Sequence, residues 1–218
     1  MTMTTSSMRF SALRTLLGAL AAATALSACA PLLLGGAVVG SSLMVTDRRS
    51  SGAQVDDQAI EIKGTKRINE TIGDRGNVST TSYNRIVLLT GSVTGEPDKA
   101  AVERVVSGIE GVRSVVNEVA IGSAASFGNR SNDTLLTGKI KASMVDAKDV
   151  QVNAFKVTTE RGIVYLMGRV TEREATRAAD IARGVSGVQK VVKVFEIVTE
   201  AELAEAQPRP AAPQPAKP

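Results

Sequence analysis

The sequence has no histidine, no tryptophan and a single cysteine, and its aromatic residues are two tyrosines and four phenylalanines. Histidine is the commonest general base in enzymes, and neither a glycine-rich phosphate loop nor a spaced set of metal ligands takes its place. We therefore expect a protein that is not an enzyme and holds no cofactor or metal; catalysis by carboxylates alone is the remaining enzymatic alternative. The scarcity of aromatic residues predicts cores built from aliphatic side chains.

The apolar run near the N-terminus covers only residues 16–26 and follows Arg9 and Arg14. A bilayer span needs about 20 apolar residues, so this run is too short to cross a membrane. A basic arm, an apolar run and small residues, in that order, are typical of a signal peptide. We predict that residues 1–28 are this signal peptide, and that its compact form starts at Met8.

Residues 26–29 read Leu-Ser-Ala-Cys and resemble the lipobox of bacterial lipoproteins. In that family the cysteine thiol is joined to diacylglycerol and becomes the N-terminus after cleavage, which here implies lipidation of Cys29. Ala30 and Pro31 stand where inner-membrane lipoproteins usually carry aspartate, so the resemblance implies the outer membrane, facing the periplasm. A lone cysteine in an exported chain calls for such an explanation; a structural, buried Cys29 is the alternative.

The formal net charge of +4 falls to +2 once residues 1–28, with two arginines and no acid, are removed. A charge this small argues against a nucleic-acid partner, because dedicated nucleic-acid binders carry a strong basic footprint. Residues 29–55 are apolar and glycine-rich and then polar from Asp47 onward, which predicts an acylated tether and linker. The spacing of Gly36 and Gly40 leaves a close-packed helix near the membrane as the alternative.

The rest of the chain contains a duplication. An apolar strand at 86–94, a helical stretch and a Gly-Val-x-x-Val segment recur from residue 163 onward. Each copy predicts the order helix, strand, strand, helix, strand, in which one sheet face packs on two helices to form a two-layer α+β unit. Because each copy has only about 65 residues and a modest core, we expect the two copies to pack on each other.

The second copy gives the clearest local signals. Asn132 or Asp133 is predicted to cap its first helix. Residues 160–162, Glu-Arg-Gly, predict a hairpin turn in which the glycine accepts a positive φ. The apolar residues that recur at i, i+4 and i+8 in the helix are predicted to face the sheet: Leu136, Ile140 and Met144.

The two copies resemble the BON domain, through Leu-x-Gly at the end of the second strand and Gly-Val-x-x-Val after the helix, within 89–115 and 166–191. With the lipobox, residues 131–134 and 170–175 also resemble the dual BON-domain outer-membrane lipoproteins associated with division and envelope stress. The resemblance implies two tandem BON domains, each a small mixed three-stranded sheet packed on two helices (αββαβ). It further implies binding of anionic phospholipid by the second domain, location at the division site and support of outer-membrane integrity, with envelope or division proteins as further partners.

The predicted organisation has six parts: a signal peptide at 1–28, an acylated tether and linker at 29–55, BON domain 1 at 56–122, a linker at 123–132, BON domain 2 at 133–198 and a tail at 199–218. The tail is acidic and then rich in proline and alanine, which predicts disorder. A protein-interaction adaptor of the cell envelope, without specific lipid recognition, is the alternative function, since one fold serves different tasks.

Charge favours the second copy as the lipid-binding one. Residues 56–122 hold eight basic and ten acidic residues, a net charge of −2, whereas residues 133–198 hold eleven and eight, a net charge of +3. Each Lys or Arg near an anionic surface contributes up to about 1 kcal/mol.

The first helix of that copy carries an apolar strip edged by lysines, which suits shallow insertion between lipid headgroups. The predicted lipid-binding residues are Leu135, Lys139, Lys141, Ala142 and Val145. The alternative is that Leu135 and Val145 complete the core and that the lysines are ordinary surface. A member of the family that the chain resembles carries tryptophan where Leu135 stands, and Gly138 weakens the helix by about 1 kcal/mol relative to alanine.

Overall fold

The computed structural model describes residues 47–206. The predictions for the signal peptide, for Cys29 and its tether up to residue 46, and for residues 207–218 concern parts of the chain outside the described residues. Domain 1 consists of helix α1 (Ser51–Ile72), strands β1 (Gly76–Tyr83) and β2 (Ile86–Val93), helix α2 (Glu96–Ser107) and the short strands β3 (Ser114–Asn117) and β4 (Ala120–Ile121). Domain 2 consists of helix α3 (Phe127–Asp146), strands β5 (Phe155–Glu160) and β6 (Ile163–Val170), helix α4 (Glu172–Gly184) and strand β7 (Lys190–Ile197), and helix α5 (Glu200–Ala206) follows it.

Each domain contains one small mixed sheet. Strand β1 runs antiparallel to β2, and β3 and β4 pair parallel with β2 on its other side. In domain 2, β5 is antiparallel and β7 parallel to the central β6. Strands β3 and β7 run parallel to the central strands because the crossover helices α2 and α4 bring the chain back to the end of the sheet at which β2 and β6 begin. The predicted αββαβ order and the α+β class are confirmed.

Both hairpins close through two-residue turns whose central residues have positive φ. The values are 49° and 67° at Asn84 and Arg85, and 52° and 75° at Arg161 and Gly162. This is the type I′ geometry, whose twist matches that of the flanking strands. The hairpin turn predicted at residues 160–162 is confirmed.

The helices pack on one face of each sheet. In domain 2 the residues predicted to face the sheet, Leu136, Ile140 and Met144, are buried together with the alanines of α4 and with Val164, Leu166 and Val170 of β6. Domain 1 has the same arrangement, in which Ile60, Ile68 and Ile72 of α1 cover β2. Both cores are mainly aliphatic, as the composition predicts.

The other faces of the two sheets pack on each other. Tyr83 and Leu88 of domain 1 form one buried cluster with Tyr165, Met167 and Val194 of domain 2. Lys156 of domain 2 also forms an ion pair with Glu61 of domain 1 across this contact, which we call the seam; Lys156 Nζ lies 2.6 Å from Glu61 Oε1. The order of layers is therefore helices, sheet, sheet, helices, and the packing of the two copies on each other is confirmed. As a consequence, the helical layer of domain 2 faces away from domain 1.

Helix α3 begins earlier than the sequence suggests. Its N-cap is Ser126, whose Oγ accepts a hydrogen bond from the backbone N–H of Asn129 at 3.2 Å. The cap predicted at Asn132 or Asp133 is therefore wrong, and residues 127–132 of the predicted linker are helical. Asp133 is buried instead and accepts hydrogen bonds from the turn of the β5–β6 hairpin. The sequence alone does not distinguish this role from helix capping, since aspartate is common in both.

The polar segment from Asp47 is not a linker. The Arg48 guanidinium makes two hydrogen bonds of 2.7 Å to the Glu174 carboxylate of domain 2 and donates to the Arg169 carbonyl. Arg49 donates to Asp57 of domain 1 at 2.8 Å and stacks on Tyr83. Two adjacent arginines thus bind the two domains, and we call Arg48 and Arg49 the seam arginines.

The prediction of disorder from residue 199 is wrong for the beginning of the tail. Helix α5 occupies Glu200–Ala206. Thr199 and Glu202 cap it reciprocally, because Thr199 Oγ1 accepts from the Glu202 N–H and the Glu202 carboxylate accepts from the Thr199 N–H. Leu203 is buried, so the helix is held by an apolar contact as well as by its cap.

Candidate membrane-contact face

Helix α3 presents apolar side chains to solvent on the side opposite its core contacts. Leu135 and Val145 are 65% and 58% exposed, and Ala142 is exposed as well. Leu136, Ile140 and Met144 on the other side are almost fully buried. The alternative that Leu135 and Val145 complete the core is therefore wrong.

Helical geometry places the exposed residues in one band. At 3.6 residues per turn, Leu135, Gly138, Ala142 and Val145 fall within a sector of about 80°, centred about 180° from the mean direction of the buried residues. We call these four residues the outer strip of α3. A Cβ added at Gly138 would meet nothing within 4 Å, so the middle of the outer strip is open to solvent. The helix continues through Gly138 without a break.

Two lysines flank the outer strip. Lys139 and Lys141 are exposed, and the same helical geometry puts them on opposite flanks, each about 40° beyond the edge of the strip. Within residues 47–206 neither lysine takes part in an ion pair, in contrast to Lys156, which is paired with Glu61. Their charges are therefore available to an external anion.

A buried carboxylate fixes how α3 sits on its sheet. Asp133 accepts hydrogen bonds from the backbone N–H groups of Arg161 and Gly162, at 2.7 and 2.8 Å. Thr137 Oγ1 adds a 2.7 Å hydrogen bond to Thr159 Oγ1 of β5. These bonds tie the buried side of α3 to the β5–β6 hairpin, so the outer strip is held outward.

Domain 1 has the same contact between an aspartate of its first helix and its hairpin turn. Asp57 of α1 accepts hydrogen bonds from the backbone N–H groups of Asn84 and Arg85, at 2.7 and 2.8 Å. Burial alone would raise the pKa of Asp57, but hydrogen bonds from Ser82, Arg85 and Arg49 lower it below its usual value. Asp57 therefore stays an ionised acceptor, and in each domain an aspartate of the first helix caps the type I′ turn.

The groove between α3 and α4 is open and balanced in charge. It has a volume of about 610 Å³ and is lined by Lys139, Asp146, Arg177 and Asp180, among others. Arg177 pairs with Asp149 at 2.8 Å, and Asp180 pairs with Arg183. The groove thus offers a shallow depression beside the outer strip rather than an enclosed anion site.

One exposed aromatic residue lies outside the set predicted from the sequence. Phe127, the first residue of α3, is 86% exposed. The sequence indicates Phe127 only as an aromatic residue directly after Ser126, the serine that caps the helix. Residues 123–132 have the composition of a linker, so the sequence alone does not place Phe127 on a helix. The five residues predicted to bind lipid all lie on α3 and are all exposed, and Phe127 extends their surface toward the start of the helix.

Domain 1 carries a smaller apolar surface of its own. Val55 and Ile62 of α1 are 69% and 63% exposed. Asp56 and Glu61 are their neighbours in sequence, and Lys66 of the same helix lies 3.9 Å from Glu70. Lys63, the other sequence neighbour of Ile62, is exposed as well, so this surface carries charges of both signs.

Across residues 47–206, no cluster of side chains suits a metal ion, and no helix is both long and apolar enough to cross a bilayer. Cys29, the predicted lipidation site, precedes this range.

Comparison with known proteins agrees with the duplicated fold. The BON domain family matches residues 56–123 and 132–199. The chain is 37% identical over 191 residues to the outer membrane lipoprotein DolP of Haemophilus influenzae, a match that covers 87% of this chain and 98% of that protein. It is 32% identical to the 21 kDa hemolysin of Actinobacillus pleuropneumoniae, over 73% of this chain and 83% of that one. It is 30% identical to the osmotically-inducible protein Y of Escherichia coli, over 64% and 72% of the two chains. None of these names describes an enzyme. The chain therefore belongs to the BON-domain family, as a protein with two BON domains in tandem.

Proposed function

We propose that this protein is a non-enzymatic outer-membrane lipoprotein that faces the periplasm and binds anionic phospholipid through the outer strip of α3. In this role it supports outer-membrane integrity at the division site. The observation that carries the proposal is an exposed apolar strip, flanked by two unpaired lysines, on the helical layer that faces away from domain 1. The lipobox at Cys29 and the name of the Haemophilus relative support the location.

The chemistry of the outer strip suits the headgroup region of a bilayer. Transfer of Leu135 from water to an apolar surrounding contributes about 2 kcal/mol, and each flanking lysine contributes about 1 kcal/mol at an anionic surface. These terms are modest, so α3 alone binds reversibly. The acyl chains on Cys29 hold the protein on the membrane, because each buried methylene adds about 0.8 kcal/mol.

The tether is long enough for α3 to contact the bilayer that holds the acyl chains. Seventeen residues, 30–46, separate Cys29 from Asp47. A fully extended chain of this length reaches about 60 Å. The anchor and the outer strip therefore serve the same membrane surface in this proposal.

The test uses the non-acylated fragment Asp47–Pro218, which includes the three apolar clusters of the fold. It should co-sediment with vesicles that contain phosphatidylglycerol or cardiolipin and not with phosphatidylcholine vesicles. Leu135→Glu should abolish this binding, because it places a negative charge in the middle of the contact. Ile62→Glu is the matched control, since Ile62 has nearly the same exposure on domain 1, and it should bind like the unaltered fragment.

Equal binding to phosphatidylcholine vesicles, or full binding by the Leu135→Glu variant, would refute the proposal.

The second candidate is a protein-interaction adaptor, favoured by the exposed Val55 and Ile62 on α1. In that case Ile62→Glu would abolish capture of envelope proteins from a detergent extract, and Leu135→Glu would leave it unchanged. The two variants thus separate the two functions.

A further inference from the structure

Phe127 lies on a part of α3 that the domain core does not use. Residues 127–132 are all exposed, and the first buried residue of the helix is Asp133. These six residues project about 9 Å beyond the core contacts at 1.5 Å per residue. Folding of domain 2 gives the aromatic ring almost no burial, since 86% of the residue stays in contact with water.

The ring points to the same side as the outer strip. Phe127 and Val145 are eighteen residues apart, which is five full turns at 3.6 residues per turn, so their side chains project in nearly the same direction. Arg130 is exposed on the same projecting segment, on the flank where Lys141 lies. Arg130 also lines a cavity together with Glu160, so the projecting segment extends the outer strip by its aromatic ring rather than by a further unpaired cation.

Phe127 is one of the few aromatic side chains of this protein. The chain has two tyrosines, four phenylalanines and no tryptophan. Helices that lie in the interface of a membrane commonly carry Trp, Phe and Leu on the face that enters the boundary between headgroups and acyl chains. Phe127 lies eight residues, or about 12 Å, before Leu135 along the helix.

We propose that Phe127 is the interfacial aromatic anchor of this protein and that it inserts among the headgroups of an anionic bilayer. This inference rests on the proposed function and extends it, because the membrane contact then runs along the whole of α3. The ring and Val145 mark the two ends of a contact about 27 Å long.

The absence of tryptophan makes the test direct. Phe127→Trp, Leu135→Trp and Ile62→Trp each place a single tryptophan in the fragment Asp47–Pro218. On addition of phosphatidylglycerol vesicles, the emission of the first two variants should shift to shorter wavelength and become protected from an aqueous quencher. Ile62→Trp, on domain 1, should show no change. Phe127→Ala should keep the circular dichroism spectrum and bind the vesicles about tenfold more weakly.

The outcomes separate the two proposals. A shift for Leu135→Trp without one for Phe127→Trp would overturn the anchor role and leave the proposed function intact. Unchanged emission in both variants would overturn both proposals. A Phe127→Trp shift that grows with protein concentration in the absence of lipid would assign the ring to a contact between copies of the chain, and it would overturn the inference as well.

Discussion

Replacement of Arg48 by methionine should destabilise the two-domain unit by about 2 kcal/mol at pH 7. Methionine keeps most of the apolar stem and removes the guanidinium that binds Glu174. Both partners are buried, with side chains 8% and 7% exposed. Removal of one partner leaves the buried Glu174 carboxylate without its counter-charge, and an unpaired buried charge is costly.

The magnitude follows from the pKa of Glu174. The hydrogen-bonded guanidinium of Arg48 is the main cause that lowers the pKa of this carboxyl from 4.5 to about 2, and Thr171 contributes through its backbone N–H and its hydroxyl. One pKa unit corresponds to about 1.4 kcal/mol, so the whole shift corresponds to about 3 kcal/mol. Burial of Glu174 raises its pKa and opposes this shift. Because the Thr171 hydrogen bonds remain in the variant, we take about 2 kcal/mol as the smallest contribution of Arg48.

The same shift fixes the pH dependence. A carboxyl whose pKa is lowered by folding stabilises the folded state above its unfolded pKa and loses this contribution as pH falls through its folded pKa. The difference between Arg48→Met and the unaltered protein should therefore be full above pH 4.5 and shrink as pH falls toward 2.

Urea unfolding of the fragment Asp47–Pro218 at pH 7, 5 and 3 measures this difference. The matched control is Arg85→Met, because the ion pair of Arg85 with Asp56 is exposed to solvent and should contribute much less to stability than the buried pair. Equal effects of the two variants at pH 7, or a difference for Arg48→Met that stays constant down to pH 3, would refute the reasoning.

Two further predictions concern α3. Gly138→Ala should stabilise the fragment by about 0.5–1 kcal/mol in urea unfolding, because a glycine inside a helix is costly and the added methyl group meets no atom within 4 Å. The variant should bind vesicles like the unaltered fragment. A loss of stability would contradict the open position of Gly138. Asp133→Ala should destabilise the fragment by about 2 kcal/mol, because it leaves the N–H groups of Arg161 and Gly162 without their acceptor. The control is Asn129→Ala, a change on the exposed first turn of α3. An equal loss of stability in the control would contradict the role of Asp133 as the acceptor for this turn.

The strands and the buried side of α3 could be predicted from the sequence because they depend on local periodicity. Leu136, Ile140 and Met144 recur with the helical period and lie in the core. The sequence also indicates that the two sheets are buried on both faces. Strands β2 and β6 are nearly continuous apolar runs, which is typical of strands buried on both faces.

The seam arginines could not be predicted from local pattern. Arg48 is 126 positions away from Glu174, and a polar segment before a helix has the composition of a linker unless its partners are known. Asp133 illustrates a different limit. Aspartate caps helices and also accepts from turn N–H groups, so only the three-dimensional position of the β5–β6 hairpin decides between the two roles.

In the proposed function, the outer strip of α3 is the surface that meets anionic lipid. Its most direct test is an NMR titration of the isotope-labelled fragment Asp47–Pro218 with nanodiscs containing phosphatidylglycerol, compared with phosphatidylcholine nanodiscs. We expect the amides of residues 127–146 to shift or broaden with the anionic nanodiscs only, while those of α1 stay unchanged. Changes centred on α1, or equal changes with both lipids, would contradict it.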